Sequence, residues 1–304
     1  MAGNEREMRL RIRSVKNISQ VTRALESVSA ARVRKAQQAV VASRAYAGRA
    51  FEVLQYLSKQ PGKVSALHPL LAARDEVKKI QIILLTSDRG LAGAYNTNVV
   101  RTALQFARQQ SQPVEWLTLG RKGRDLLYRV GAKIAADFET FRGSPAFTDV
   151  TPLARQALDD FISGRVDEVY VAYTDYINAV KQVPQVKRIL PLSLELTEQV
   201  NAENVSEKAG LAREYVFEPS ASALLDTILP RFTQVTLYQC VLESLASEHS
   251  ARMVAMRNAT ENAKDLIVGL RLAYNKSRQL NITSDLLDIV GGVEALAKST
   301  QQNG

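Results

Sequence analysis

ILPRFTQVTLYQCVLESLASEHSARMVAMRNATENAKDLIVGLRLAY, residues 228–274, decides the fold. Ile228, Val235, Leu242, His249, Met256, Ala263 and Leu270 fall seven apart, and Phe232, Gln239, Ala246, Met253, Thr260, Ile267 and Tyr274 fall four after each. An apolar seam of this period, interrupted by Gln239, His249 and Thr260, predicts a long helix packed along its length against another helix. No proline follows Pro230 and none precedes Pro61. Helices over roughly 4–57 and 231–290 would be rods of about 80 and 90 Å. A chain of this size folded compactly has a radius of gyration near 20 Å, so such rods are expected to project from any globular body.

The N-terminal rod carries a thinner apolar set. Leu10, Val21, Leu25 and Val28 are apolar, while Ala24, Ala31 and Ala42 offer little area to bury. Small residues suit close approach of two helices. One rod enters the central region and the other leaves it, so an intramolecular antiparallel coiled coil is the simplest arrangement. Dimerisation through the C-terminal rod is the alternative.

The middle of the chain alternates strand and helix. Strands are predicted at 78–87, 114–119, 133–138, 166–173 and 186–194, the last at a sheet edge because Pro191 cannot donate to a ladder. Helices are predicted near 96–110, 121–130 and 150–162. Short connections between them indicate a doubly wound, Rossmann-like α/β layer. The domain expectation is 1–57 for the first coiled-coil helix, 78–194 for the α/β domain and 220–304 for the second helix. Residues 58–77 are read as a linker and 195–218 as a polar excursion.

Charge is unevenly distributed. Residues 1–50 hold eleven Lys and Arg against three Glu, a net +8, whereas from Ser220 onward eight basic residues balance eight acidic ones. A basic rod implies an acidic partner, and a solvated helix face is the plain alternative. The single cysteine, Cys240, excludes an internal disulfide framework and reads as a small buried hydrophobe. No apolar run is long enough to cross a bilayer, and the opening residues lack the apolar core of a secretory signal, so a cytoplasmic location is expected.

TSDRGLAGAYN, residues 86–96, lies where a dinucleotide fold places its phosphate turn. Gly90 and Gly93 do not supply the G-x-G-x-x-G spacing, and tight-turn glycines are the stronger reading. Asp159 and Asp160 are adjacent on a helix and read as solvated surface. His249 on the seam reads as a packed histidine. The residues do not describe an enzyme, and no catalytic, cofactor or metal site is expected.

Three segments together resemble the gamma subunit of F-type ATP synthases, the central-stalk rotor, of bacterial type: RIRSVKNISQVTRALESVSAARVRKAQ (11–37), LLTSDRGLAGAYNTN (84–98), and a C-terminal series. That series is YVFEPSASALLDTILPRF (215–232), LESLASEHSARMVAMRNATENAKDLI (242–267) and YNKSRQLNITSDLLDIVGG (274–292). The resemblance implies an antiparallel coiled coil with an α/β domain at its foot. It also implies one copy per complex inside a head of three alpha and three beta subunits, with the foot on the membrane c-ring beside the epsilon subunit. Hydrogen ion flow would then turn the rotor and drive ATP synthesis. ATP, ADP and magnesium would sit on partner subunits, with no cofactor or nucleic acid on this chain. The location implied is the cytoplasmic face of a bacterial plasma membrane, as a peripheral protein.

By the same resemblance Arg252, Gln279, Thr283 and Asp285 match positions that touch loops of the catalytic subunits. Arg9, Arg32, Arg34 and Lys35 are candidates for acidic beta-subunit loops, mainly on charge. Asp285 and Asp288 stand where the family usually has glutamates, Ala92 where many relatives have cysteine, and Gly291 with Gly292 where one glycine is usual. The paired glycines are expected to end or loosen the helix. The rival readings are a nucleotide-binding α/β enzyme with a coiled-coil arm and a basic coiled-coil nucleic-acid binder.

Overall fold

The computed structural model of the chain describes residues 2–58, 68–74, 76–139, 141, 143, 145–192 and 221–302. Half of the expected linker at 58–77, the excursion at 195–218 and the last two residues of the strand expected at 186–194 lie outside these. The chain divides into two compact units, one of residues 1–28 with 254–304 and one of residues 29–253.

Two long helices contribute to both units: α1 (Ala2–Ser58, 57 residues) and α5 (Ala221–Gln302, 82 residues). At 1.5 Å per residue they measure about 85 and 120 Å. The second helix starts at Ala221, ahead of the 231 read for the rod and close to the 220 of the domain expectation, so Pro230 lies inside it. Its ring removes one backbone donor and crowds the carbonyl of Asp226, a cost of about 3 kcal/mol. Leu225 and Leu229 beside it are 1% and 0% exposed, and burying two leucines offsets that cost. Gly291 and Gly292 do not end the helix either, since α5 continues to Gln302. Each costs about 1 kcal/mol relative to alanine in a helix interior, which slows propagation without stopping it.

The larger unit contains a five-stranded sheet in the order β3-β2-β1-β4-β5. Its strands are β1 (Ile80–Leu85), β2 (Val114–Leu119), β3 (Ile134–Phe138), β4 (Glu168–Tyr176) and β5 (Gln182–Leu190). The first four run parallel and β5 pairs antiparallel with β4 at the edge. Strand β5 begins four residues before the predicted start and stops short of Pro191. All six residues of the central strand β1 are buried, as a strand covered on both faces requires. One face packs against α4 (Phe147–Ile162) and the first turns of α5, through Leu153, Phe161, Leu225 and Leu237 among others. The other packs against α2 (Tyr95–Gln109) and α3 (Arg121–Arg129), through Val99, Ala103 and Leu127.

Asp160 is not solvated surface. It is 4% exposed. It accepts hydrogen bonds from Gln81 (2.7 Å) and Gln156 (3.0 Å) and pairs with Arg165. A buried carboxylate must be compensated in this way. Its neighbour Asp159 is the exposed member.

In the smaller unit the two helices form an antiparallel coil. A buried or half-buried stripe on α5 runs through Met256, Thr260, Ala263, Ile267, Leu270, Tyr274, Ser277, Asn281 and Ser284, alternating four and three apart. That is the predicted seam, carried three steps beyond Tyr274. The matching stripe on α1 is Glu5, Met8, Ile12, Val15, Ser19, Thr22 and Glu26. Of the expected apolar set Leu25 is half-buried, whereas Leu10, Val21 and Val28 are 50% to 58% exposed. The seam of α1 mixes the apolar Met8, Ile12 and Val15 with the small or hydrogen-bonding Ser19 and Thr22, while other branched side chains face outward. Thr22 and Thr260 join their hydroxyls at 2.7 Å in its buried part. Arg9 donates to the Tyr274 hydroxyl at 2.9 Å and lies over its ring, and Asn281 donates to Glu5 at 2.8 Å. Rising numbers on α1 meet falling numbers on α5.

Candidate functional site

Strand β1 lies between β2 and β4, so the chain leaves its two sides in opposite directions and the strand order reverses at its C-terminal end. Ligands bind at such switch points in doubly wound sheets. Here the turn from Thr86 to Asn96 satisfies its own polar groups. The Ser87 amide donates to Asn96 Oδ1 at 3.0 Å, the Ser87 hydroxyl donates to the Arg89 carbonyl at 2.7 Å, and Asn96 Nδ2 donates to Ser87 Oγ at 2.8 Å. Leu91 and Gly93 hold positive φ of 64° and 55°. For leucine that conformation is strained, and it leaves the side chain 63% exposed.

Beside it, Gly120 has φ 103°, and a Cβ there would overlap the Thr86 carbonyl, 2.7 Å from its carbon. Only glycine allows this close approach.

Helix α5 holds the turn from the side. Arg252 donates to the Gly90 carbonyl through Nε and Nη2, both at 3.3 Å, and pairs with Glu248 at 2.7 Å. Both side chains are nearly buried, at 11% and 13% exposure. A second link joins Tyr95 Oη to Ser244 Oγ at 2.7 Å. Burial raises the Glu248 carboxyl above its usual range although Arg252 pulls it down. Burial, with the charges of Arg252 and Arg32, lowers His249 to about 4, so the packed imidazole is neutral at pH 7. Cys240 is buried and its thiol is pushed up to about 12, chiefly by burial.

The other expected contact residues stand elsewhere. Arg32, Arg34 and Lys35 are exposed on α1, on either side of buried Val33. Gln279, Thr283 and Asp285 are exposed on α5 in the smaller unit, where the Thr283 hydroxyl donates back to the Gln279 carbonyl at 2.9 Å. Arg9 is engaged by Tyr274. Arg252 alone of the four by-resemblance positions is committed inside the chain.

Sequence reasoning missed the end of α5. Glu5 meets Asn281, and α1 begins at Ala2, three residues earlier, so residues of α5 beyond about 284 have no described α1 residue beside them. Leu286, Leu287, Ile289, Val290 and Val293 there are each 58% to 66% exposed. The signal was available: an apolar run continues past the seam on a helix whose companion has already begun. Among the described residues no three His, Cys, Asp or Glu side chains converge as a metal site would require.

A family model described as "ATP synthase" matches residues 4–296. The ATP synthase gamma chain of Dehalococcoides mccartyi (strain CBDB1) is 43% identical over 294 residues, 97% of this chain and 99% of that one. The chain belongs to the ATP synthase gamma-chain family. The gamma chain of Roseiflexus castenholzii is 44% identical over 298 residues, covering 96% of this chain and 98% of its own. Among solved structures, a chain from the Euglena gracilis mitochondrial ATP synthase OSCP/F1/c-ring assembly superposes with a TM-score of 0.67, at 22% identity, over 97% of this chain and 95% of that one. Another from the rotor of the same organism's enzyme gives a TM-score of 0.63 at 19% identity, over 93% and 100%. These two likenesses bear on the fold, and they agree with a coiled coil joined to a Rossmann-like domain.

Proposed function

We propose that this gamma chain is the central-stalk rotor subunit of a bacterial F-type ATP synthase, present in one copy and turning within a head of three alpha and three beta subunits. The observation that carries the reading is the coil of α1 and α5 ending in an exposed apolar helix, in a chain matched over almost its whole length by bacterial gamma chains. A stiff antiparallel coil transmits torque, and an apolar end is suited to a closely fitting sleeve. Catalysis, with ATP, ADP and magnesium, belongs to the beta subunits. This chain supplies the asymmetric surface that drives their sites through different affinities.

Its foot rests on the membrane c-ring with the epsilon subunit, on the cytoplasmic face of the plasma membrane. The association is peripheral: among the described residues no helix is long and apolar enough to cross a membrane. Gln279, Thr283 and Asp285 are read as contacts with the catalytic subunits, and exposed Arg32, Arg34 and Lys35 as contacts with acidic beta-subunit loops. Exposed charge pairs contribute only about 0–1 kcal/mol each, so they can form and break as the rotor turns. Co-expression with alpha and beta subunits tests the reading. Co-elution and stimulation of their ATPase activity are expected, and a chain that does neither refutes it.

A further inference from the structure

The two faces of the sheet are covered by helices of opposite charge. Helix α2 carries Arg101 and Arg108 and no carboxylate, and α3 carries Arg121, Lys122, Arg124 and Arg129 against Asp125. Six minus one gives +5 for that layer. Helix α4 on the other face carries Arg155 against Asp149, Asp159 and Asp160, a net −2. Within the basic layer Arg121 pairs with Glu139, and Arg124 with Asp125 and Asp137. Arg101, Arg108, Lys122 and Arg129 form no ion pair among the described residues.

Between α2 and α3 lies a groove of about 490 Å³ with Val100, Leu104 and Leu126 on its floor and Arg101, Gln105 and Arg108 along its rim. Positions 101, 105 and 108 are spaced four and three, so they form one stripe on α2. The two arginines stand about 10 Å apart along the axis. No carboxylate lines the groove. We propose that this groove receives an acidic amphipathic helix of a partner protein.

An apolar stripe on that helix would cover the floor, as in helix-in-groove recognition. Carboxylates one or two turns apart on its flank would meet Arg101 and Arg108, setting direction and register more than affinity. A flat anionic bilayer could reach the rim arginines but not the recessed floor, which favours the helix.

Cys240, buried and with its thiol raised, is the only cysteine, so a Gln105→Cys chain can be labelled at one place with a photo-crosslinker. In the assembled complex the label is expected to capture a single partner segment, helical, with Asp or Glu flanking an apolar stripe. Arg101→Glu with Arg108→Glu should lower that yield at least tenfold while assembly is retained, and Arg155→Glu on the opposite face should leave it unchanged. A second arm does not depend on the rotor reading. The isolated full-length chain is titrated with a designed amphipathic helix of leucine, alanine and glutamate. Saturable binding is expected, at least tenfold weaker for the double variant. No saturable binding, equal binding by the double variant, capture of a segment without carboxylates, or labelling only by phosphatidylglycerol vesicles would overturn the proposal.

Discussion

Arg252→Ala is the substitution with the most to say about the turn that follows β1. Arg252 and Glu248 are nearly buried and paired at 2.7 Å. Removing one member of a buried pair costs about 3–5 kcal/mol, because the remaining charge has no compensation. The contacts to the Gly90 carbonyl, at 3.3 Å, are long and add about 0.5 kcal/mol each at most. Glu248 is already raised by burial, so once Arg252 is gone it can take up a proton instead of remaining an isolated carboxylate. That escape places the expected loss near the lower bound, about 3 kcal/mol at neutral pH.

The sign of the pH dependence follows. A glutamate with a raised folded pKa contributes stability that is lost as pH rises through that pKa. Without Arg252 the raise is larger, so the deficit against the unmodified chain should be greater near pH 8 than near pH 5. Urea unfolding followed by circular dichroism at both pH values measures this, and hydrogen exchange at residues 89–91 reports the turn itself. The double variant Arg252→Met, Glu248→Leu should recover most of the stability, since apolar replacement of both partners is nearly neutral. It should not recover protection of the turn. A deficit under about 1 kcal/mol at both pH values would refute the clamp and leave an ordinary surface pair.

Three further outcomes are expected. Thr22→Val or Thr260→Val alone removes the 2.7 Å seam bond while the remaining hydroxyl still donates to its own helix, and should cost about 0.5–1.5 kcal/mol by urea unfolding, with the double change costing little more than either single one. Gly120→Ala forces a methyl onto the Thr86 carbonyl at positive φ, and should lower the thermal midpoint or prevent soluble expression. His249 is held neutral with its pKa near 4, so the unfolded chain binds the extra proton as pH falls below about 6.5. Stability should drop between about pH 6.5 and 4, by at most about 3 kcal/mol, and His249→Leu should flatten that part of the profile.

Legibility in the sequence differed between the two helices for a physical reason. On α5 the large apolar Val235, Leu242, Met256, Ile267, Leu270 and Tyr274 recur through the seam, so a seven-residue period exposes it. On α1 the seam mixes Met8, Ile12 and Val15 with Ser19, Thr22 and Glu26, while Leu10, Val21 and Val28 face outward. Apolar residues there lie on both faces, so hydropathy alone does not single out the seam, part of which is built on small size and hydrogen bonding. Asp160 was more readable than its dipeptide suggested, since Leu153, Ala157 and Asp160 are spaced four and three on the buried face of α4. The i, i+4 pairing of Glu248 with Arg252 can also be read from sequence. Its target cannot, because Gly90 lies 162 residues away and nothing local announces it.

The outward face of α5 explains why an apolar end is stable enough to exist and why it favours a rotor. From Asp285 to Val293 every side chain is exposed, and in that stretch only Asp285 and Asp288 are charged. Exposed leucine, isoleucine and valine gathered at one end of a helix mark a surface that is covered in use. A partner gripping the end through oriented hydrogen bonds would hold one angle against all others. Apolar contact is non-directional and depends on area removed from water, so an apolar end can stay covered while it turns.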